Sequence, residues 1–407
     1  MKMKKFLALG LAIAMISATL VGCGGSKDAA ADTSAPAATE EAVAATEEAA
    51  PAAEGAGNTG DVNGSHVFMF KSVGNAFGVI MYDGFSSYMA QVGEACVEKS
   101  PAETTVAAQV QLIDESITAG AKSLSISTNG DTGFDEVFAK AQSANIPIVS
   151  VDSAASADYR ITHNNQASSA DIGAMQVRAA VMAVLKVPFD KNDGSMLDTV
   201  TKALADYSGE EIKLGVLSAG IDTPVQNGWI AEMEKELTNP IYAGKVSPEL
   251  DKKYGDDEAT KSTTQAQAFL AENKVDAIIS PTTVGIAAAG EVLTQAGSDI
   301  KLTGLGLPSE MANYMPSSES DDEFSFVCPY MMLWDVSHLG ASTAAIQMAV
   351  QNDGFDGKAG SSFTMQAWGE YGEETFTAEA DGDGTSVLTG IPYTFYKANM
   401  ADWATKL

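Results

Sequence analysis

The 407-residue sequence has few of the residues that metal centres, disulfide scaffolds and nucleic-acid-binding surfaces require. Its three histidines, His66, His163 and His338, include no pair at the spacing of zinc ligands. Three cysteines are too few for a disulfide scaffold. The 24 basic residues are outnumbered by 54 acidic ones, giving a formal net charge of −30. This balance argues against binding to nucleic acid and against docking to anionic lipid by surface charge.

The sequence motifs of common enzyme classes are missing as well. The chain has no G-x-S-x-G, phosphate-binding loop or H-E-x-x-H pattern. A retaining glycosidase needs two carboxylates about 5–5.5 Å apart, and no pattern supplies a partner for Asp152. The segment Asp381-Gly382-Asp383-Gly384 is similar to a calcium loop but lacks the later bidentate glutamate, so we interpret it as an acidic turn. We predict a protein that is not an enzyme and uses no metal or cofactor.

The N-terminus has the pattern of an export signal. Three lysines within the first five residues precede an apolar run from residue 6 to about residue 21, which is too short to span a bilayer comfortably. The stretch Leu20-Val21-Gly22-Cys23 resembles the lipobox of bacterial lipoproteins. We predict a lipoprotein signal peptide at residues 1–22 and acylation of Cys23, for example with palmitate, which anchors the chain without spanning the membrane. An ordinary secretory signal with an incidental cysteine is the alternative.

Residues 23–64 read as a tether. They are mostly Ala, Glu, Thr, Pro, Gly, Asp and Ser, with no aromatic residue, and cannot bury enough apolar surface to offset the entropy of ordering. A lipid anchor followed by a disordered tether predicts a folded body at the extracellular face of the cytoplasmic membrane. It also favours a Gram-positive source, which has no periplasm to confine a free protein.

From residue 65 onward, apolar runs typical of buried strands alternate with helical patterns. We predict strands at 66–70, 123–127, 146–152, 212–218, 275–280 and 302–307, and helices at 76–94, 106–119, 133–143, 225–237, 257–273 and 284–295. Two such series predict an α/β fold with two doubly wound parallel-sheet lobes. We place Cys96 in a helix and Cys328 in a strand as buried small hydrophobes, and leave open whether they pair.

Ligands of open parallel sheets bind beyond the carboxyl ends of the strands, so the polar residues at these points are candidates for a site. They are Lys71-Ser72, Thr128-Asn129, Asp152-Ser153, Pro281-Thr282-Thr283 and Pro308-Ser309. The set contains one cation, one anion, hydroxyls and amides. This composition suits a polyol-binding site better than a catalytic one.

Several stretches resemble the type I periplasmic-binding proteins, the substrate-binding components of ABC importers, and especially their rhamnose- and autoinducer-2-binding branch. They include FKSVGNAFG at 70–78, SPTTVGIAAAGEVL at 280–293, LTGLGLPSEMA at 302–312 and LWDVSHLGAS at 333–342. The resemblance implies two lobes joined by three crossing strands, near Asn165, near Trp334 and within 375–395. We expect the N-terminal lobe at 65–165 plus 335–375 and the C-terminal lobe at 166–334 plus 376–407. It also implies a monomer that works with permease and ATPase subunits.

The resemblance also nominates the residues of a site between the lobes. The implied ligand contacts are Lys71, Phe77, Asp152, Gln226, Asn227, Pro281, Thr282, Thr283, Leu333 and Trp334. Asn75, Asn165 and Gln166 are expected at the hinge or behind the ligand contacts. The autoinducer-2 pattern has an acidic residue directly before the glutamine, and here that position is Val225. The segment 315–333 is longer than the family pattern and its acidic part is expected to form an exposed loop.

The hypothesis that follows is capture of a neutral monosaccharide, rhamnose or a related sugar, for ABC import. Autoinducer-2 binding, or service as the sugar-sensing component of a receptor, is the alternative function. An ionised carboxylate such as that of Asp152 suits sugar hydroxyls because it forms charge-assisted hydrogen bonds. The identity of the sugar is not specified by these patterns.

Overall fold

The computed structural model describes residues 60–189, 195–390 and 392–407. The predicted signal peptide, Cys23 and residues 23–59 of the predicted tether lie outside the described residues. The end of the predicted tether already contacts the folded body, because the Gly64 amide donates to the Gly120 carbonyl at 2.9 Å and Val62 packs against a buried apolar cluster. Within the described part of the chain, no helix has the length and apolarity that crossing a membrane requires.

Strands and helices alternate along the body, which confirms the predicted α/β class. The strands are β1 His66–Met69, β2 Cys96–Glu98, β3 Ser123–Ile126, β4 Ile148–Val151, β5 His163–Asn165, β6 Ile212–Ser218, β7 Val246–Tyr254, β8 Ala277–Ser280, β9 Lys301–Gly304, β10 Met331–Leu333, β11 Ser362–Met365, β12 Glu374–Thr377, β13 Glu379–Asp381, β14 Gly384–Leu388 and β15 Tyr393–Phe395. The helices are α1 Ala76–Val92, α2 Val106–Ala119, α3 Asp135–Ser143, α4 Ser169–Leu185, α5 Met196–Asp206, α6 Pro224–Leu237, α7 Ala259–Glu272, α8 Thr283–Ala296, α9 Pro308–Met311, α10 Val336–Met348 and α11 Met400–Trp403.

The first lobe is built on a seven-stranded sheet in the order β13-β14-β5-β4-β3-β1-β2, parallel except for β13. Alternate residues of β1 enter different apolar clusters, Val67 with α2 and α3 and Phe68 with α1 and α10. A strand covered on both faces must be apolar throughout, which is why β1 reads as a continuous apolar run. Helices α1 and α10 approach closely at Gly340, where an added Cβ would lie 1.8 Å from the Met81 carbonyl oxygen.

The second lobe is built on a four-stranded parallel sheet in the order β7-β6-β8-β9. Helices α4 and α6 pack against each other, as do α7 and α8. An antiparallel pair, β10 with β15, extends this lobe through a bridge between Leu305 and Met332. In open parallel sheets such as these, ligands bind beyond the carboxyl ends of the strands.

The chain passes from one lobe to the other between β5 and α4, between β10 and α10, and between β14 and β15. The chain makes its third passage between the lobes after Leu388, later in the sequence than the expected lobe boundary at 375/376. Strand β14 pairs in parallel with β5, with Ser386 opposite His163, so residues 379–388 belong to the first sheet and not to the C-terminal lobe.

The two cysteines differ from their predicted surroundings. Cys96 begins strand β2 and does not lie in a helix, because α1 ends at the left-handed Gly93. Cys328 lies in an irregular segment and not in a strand; it is fully buried, and its thiol donates to the Tyr330 carbonyl at 3.4 Å. Both thiols are free.

Candidate functional site

A pocket lies between the lobes at the carboxyl ends of their strands, the place where open parallel sheets bind ligands. Most of the predicted site residues line it, together with four that were not predicted. The predicted ones are Lys71, Asn75, Phe77, Asp152, Gln226, Pro281, Thr282, Thr283, Leu333 and Trp334, and the others are Phe70, Trp229, Asp257 and Leu305.

The first lobe contributes a buried ion pair. Lys71 follows β1 and Asp152 follows β4, and the Lys71 Nζ lies 2.8 Å from the Asp152 Oδ2. Ser127, at the end of β3 between those strands, donates its hydroxyl to the same oxygen at 2.8 Å. Only 3% of Lys71 and 4% of Asp152 is exposed. Burying both charges is costly, so the pair is better suited to holding a fixed array of polar atoms than to stabilising the fold.

The backbone of Asp152 turns sharply where β4 ends. Its φ is +60°, in the left-handed region that aspartate and asparagine tolerate better than most residues. Aspartate at this position can therefore both adopt the turn and place a charge at the carboxyl end of β4.

Amide side chains behind the ion pair fix the Lys71 loop. The Asn129 Nδ2 donates to the Lys71 carbonyl at 2.8 Å, and the Asn129 backbone amide donates to the Gln109 Oε1 at 2.8 Å. Gln109, fully buried on α2, in turn donates to the Ser127 carbonyl at 2.8 Å. These bonds connect the ends of β1 and β3, so the position of Lys71 is set by a network and not by its own pairing alone.

Aromatic rings form one wall of the pocket. Ring centroids lie 5.8 Å apart for Phe70 and Phe77, 6.0 Å for Phe77 and Trp334, and 5.9 Å for Trp334 and Trp229. The Phe77–Trp334 contact is edge-on, and such pairs are favourable beyond their buried area. The chain of rings runs from the first lobe through the second passage between lobes to the second lobe. It offers an apolar surface to the C–H face of a solute.

The second lobe contributes polar atoms that lack a partner within the described residues. The Gln226 Nε2 donates to the Pro281 carbonyl at 3.3 Å, but its Oε1 accepts no bond, and the indole Nε1 atoms of Trp229 and Trp334 donate none. A buried polar atom left unsatisfied costs about 1–3 kcal/mol. Three residues that line the pocket thus have one acceptor and two donors without a protein partner among the described residues.

Asp257 is the charged residue among the four pocket residues that the sequence patterns did not identify. It follows β7 with a φ of +54° and accepts a hydrogen bond from the Thr282 hydroxyl. Burial of its carboxyl group raises the pKa of Asp257, and the charge of Lys71 opposes this rise. Strand β7 was not predicted because it is an edge strand with several charged residues and a proline, as edge strands tolerate. Had β7 been recognised, the rule that polar residues follow strand ends would have indicated Asp257.

Three predicted residues do not line the pocket: Asn165, Gln166 and Asn227. Asn75, by contrast, lines it and also caps α1, because its side chain accepts a hydrogen bond from the Gly78 amide at 3.2 Å. The Asn227 amide donates to the Ile221 carbonyl at 2.9 Å and holds a turn. Asn165 ends β5, and its carbonyl accepts from the Thr389 amide at 2.9 Å, which ties the first and third passages together. Gln166 is fully buried and lines a separate cavity that shares Trp334 with the pocket.

The arrangement can bind a solute, because it combines an ion pair, unpaired polar atoms and aromatic rings in one pocket. Within residues 60–189, 195–390 and 392–407, no cluster of three histidines, cysteines or acids could hold a metal ion. A two-lobed α/β body with a mixed polar and aromatic pocket between its lobes defines the class of bilobal solute-binding proteins.

The comparisons with known proteins agree with this class. The family model for the periplasmic binding protein domain matches residues 66–354, and the chain belongs to this family. An ABC transporter solute-binding protein from Clostridium phytofermentas with bound L-rhamnose is 30% identical, has a TM-score of 0.73, and is matched over 85% of this chain and 99% of its own. A sugar ABC transporter protein from Actinomyces odontolyticus is 29% identical, with a TM-score of 0.58, over 84% and 98%. LsrB from Clostridium saccharobutylicum in complex with AI-2 is 19% identical, with a TM-score of 0.69, over 83% and 99%, and shares the fold.

Family membership confirms two predictions. The chain is a solute-binding protein of the ABC-transporter type, with the fold expected from its resemblance to that family. It is a non-enzymatic component, since the family consists of binding proteins that act in the periplasm or outside the cell.

Proposed function

We propose that this protein captures a neutral monosaccharide, rhamnose or a related sugar, between its lobes and delivers it to the permease and ATPase of an ABC importer. The observation that supports this most is the pairing of polar and apolar groups in one pocket. The Lys71–Asp152 pair and the free amide and indole atoms suit hydroxyl groups, while the aromatic wall suits the apolar face of a sugar ring.

The relative from Clostridium phytofermentas supports rhamnose as the first ligand to test, because it contains L-rhamnose and matches nearly the whole body of this chain. Autoinducer-2 is the second candidate, and the fold shared with LsrB favours testing it. Val225 argues against it, since that position is apolar and packs against the core where the autoinducer-2 pattern has an acid.

Isothermal titration of the folded body against L-rhamnose, D-ribose, D-glucose, D-arabinose and autoinducer-2 tests the proposal. We expect saturable binding of L-rhamnose or of another neutral sugar in this panel. The matched variants are Gln226→Ala, which removes a pocket amide, and Asn227→Ala, which removes the neighbouring amide outside the pocket. Affinity should fall in the first and stay unchanged in the second. Absence of binding to every sugar, or binding of autoinducer-2 alone, would contradict the proposal.

We also propose that residues 1–22 are removed as a lipoprotein signal and that an acyl group on Cys23 anchors a monomeric body at the extracellular face of the cytoplasmic membrane of a Gram-positive cell. The lipobox-like segment and the apolar run before it support this. Labelling with a palmitate analogue should mark the wild-type chain and not Cys23→Ala. Equal labelling of both would refute the anchor.

A further inference from the structure

The pocket contains a second carboxylate from the opposite lobe. Lys71, Asp152 and Asp257 are the charged residues that line the pocket in the described part of the chain. Lys71 and Asp152 belong to the first lobe and form a direct ion pair. Asp257 belongs to the second lobe, between β7 and α7. With both acids ionised, the charges of the lining side chains sum to −1.

The Asp257 carboxylate is held in place but not neutralised. Among the described residues, its side chain accepts one hydrogen bond, from the Thr282 hydroxyl, and forms no ion pair. Lys71 acts on it electrostatically but is paired directly with Asp152. A carboxylate has about four lone-pair directions, so most of its accepting capacity is unused by the protein.

We propose that Asp257 is a specificity-determining ligand contact, which accepts a hydrogen bond from a solute hydroxyl on the side opposite Asp152 and excludes anionic solutes from the pocket. This inference rests on the proposed function of sugar binding. It specifies the solute as an uncharged polyol with hydroxyl groups on two separate edges, one for each lobe. Uronic acids, aldonic acids and sugar phosphates would bring a negative charge into a pocket lined by two carboxylates and one lysine, and like charges repel each other.

The adjacent aspartate provides a matched control. Asp256 has nearly the same backbone conformation, with a φ of +55° against +54° for Asp257. Its carboxylate pairs instead with Lys261 at 3.2 Å and does not line the pocket. Replacing either aspartate with asparagine keeps a residue that tolerates the left-handed turn, so the two variants differ mainly in whether the lost charge faces the pocket.

Binding should also depend on pH through Asp257. Burial raises the pKa of this carboxyl group, with Asp152 and Asp256 adding to the rise and Lys71 and Thr282 opposing it. An ionised carboxylate forms a charge-assisted hydrogen bond with a solute hydroxyl, whereas a protonated carboxyl group accepts only a weaker, neutral one. Affinity for a neutral sugar should therefore fall as the pH is lowered through the raised pKa, and this acid-side loss should shrink in Asp257→Asn.

The test is titration of the wild type, Asp257→Asn and Asp256→Asn with L-rhamnose and with L-rhamnonate, its anionic counterpart, between pH 5 and 8. We expect Asp257→Asn to lose at least tenfold in affinity for rhamnose at pH 7.5 and to discriminate less against rhamnonate. Asp256→Asn should stay within twofold of the wild type. If another sugar of the panel binds in place of rhamnose, that sugar and its aldonic acid take their place.

The outcomes separate the two proposals. If the wild type binds no sugar, the proposed function fails and this inference fails with it. If the wild type binds a sugar and Asp257→Asn binds it equally well, or if Asp256→Asn loses as much affinity, Asp257 is not a ligand contact and only this inference is refuted. Tight binding of rhamnonate by the wild type would also refute it, and this outcome needs no variant.

Discussion

Replacing Asp152 should lower both the folding stability of the protein and its affinity for ligand, for two reasons that can be measured separately. Asp152→Ala leaves the ammonium group of Lys71 buried without its partner, and losing one member of a buried pair typically costs about 3–5 kcal/mol of folding free energy. Alanine must also adopt a φ of +60°, which adds about 1–2 kcal/mol. Domains of this kind are stable by about 5–15 kcal/mol, so we expect the variant to fold with a clearly lowered urea midpoint.

The affinity change has its own magnitude. A hydrogen bond from a sugar hydroxyl to an ionised carboxylate contributes about 1.5–3 kcal/mol, which corresponds to a loss of about 10- to 150-fold in affinity. Asp152→Asn isolates the charge because asparagine tolerates the backbone turn. Calorimetric titration of both variants with the sugar that the wild type binds measures this loss.

A double variant tests the cause of the instability. Lys71→Met combined with Asp152→Asn removes both charges, and a pair replaced as a unit by neutral residues is often neutral for stability. The double variant should recover most of the stability that Asp152→Asn loses while still binding the sugar poorly. If it is no more stable than Asp152→Asn, the unpaired lysine is not the cause. Unchanged sugar affinity in Asp152→Ala would refute the assignment of the site itself.

Further predictions concern packing, thiol chemistry and the aromatic wall. Gly340→Ala should destabilise the protein by several kcal/mol in urea unfolding, because the added Cβ would overlap the Met81 carbonyl oxygen. An unfolding midpoint within error of the wild type would show that α1 and α10 can separate freely. Cys328 should resist alkylation in the native protein, since burial raises the pKa of its thiol. After unfolding without reductant, both Cys328 and Cys96 should be alkylated, and a count below two reactive thiols from this pair would indicate a disulfide. Trp334→Phe keeps a ring but removes the unpaired indole donor, so sugar affinity should fall about tenfold with little change in stability, and equal affinity would show that the donor is not used.

The parts of the fold that were predictable are those with a clear pattern of buried apolar residues. Strand β6 is buried at every position except Lys213, and helix α2 has a regular buried stripe, so both have the predicted bounds. Edge strands lack that signal. Strand β7 is half exposed and charged, and β13 is exposed throughout, so their sequences resemble surface loops. The lobe boundary near residue 375 was misplaced because β14 joins the first sheet through long-range pairing with β5, which no local sequence pattern shows.

The site was predictable where a polar residue follows a recognisable strand. Lys71 and Asp152 satisfy that rule, and the structure brings them into contact although 80 residues separate them in the numbering. Asn227 shows where residue type alone misleads, because an amide next to Gln226 at the start of a helix points to a turn and not to the pocket. Asp257 shows the reverse, since its position depends on an edge strand that has no clear sequence signal.

The aromatic wall links recognition of the solute to the angle between the lobes. Trp334 lies on the passage between β10 and α10, and it contacts Phe77 of the first lobe on one side and Trp229 of the second lobe on the other. A solute that packs against all three rings interacts fully only with the arrangement in which the lobes bring them together. It can favour that arrangement only by the difference in its affinity for the two states. Measured affinity therefore includes the free energy of bringing the lobes together. We expect residues at the passages, such as the buried Gln166 beside Trp334, to influence sugar affinity without contacting the sugar, which titration of Gln166→Ala would measure.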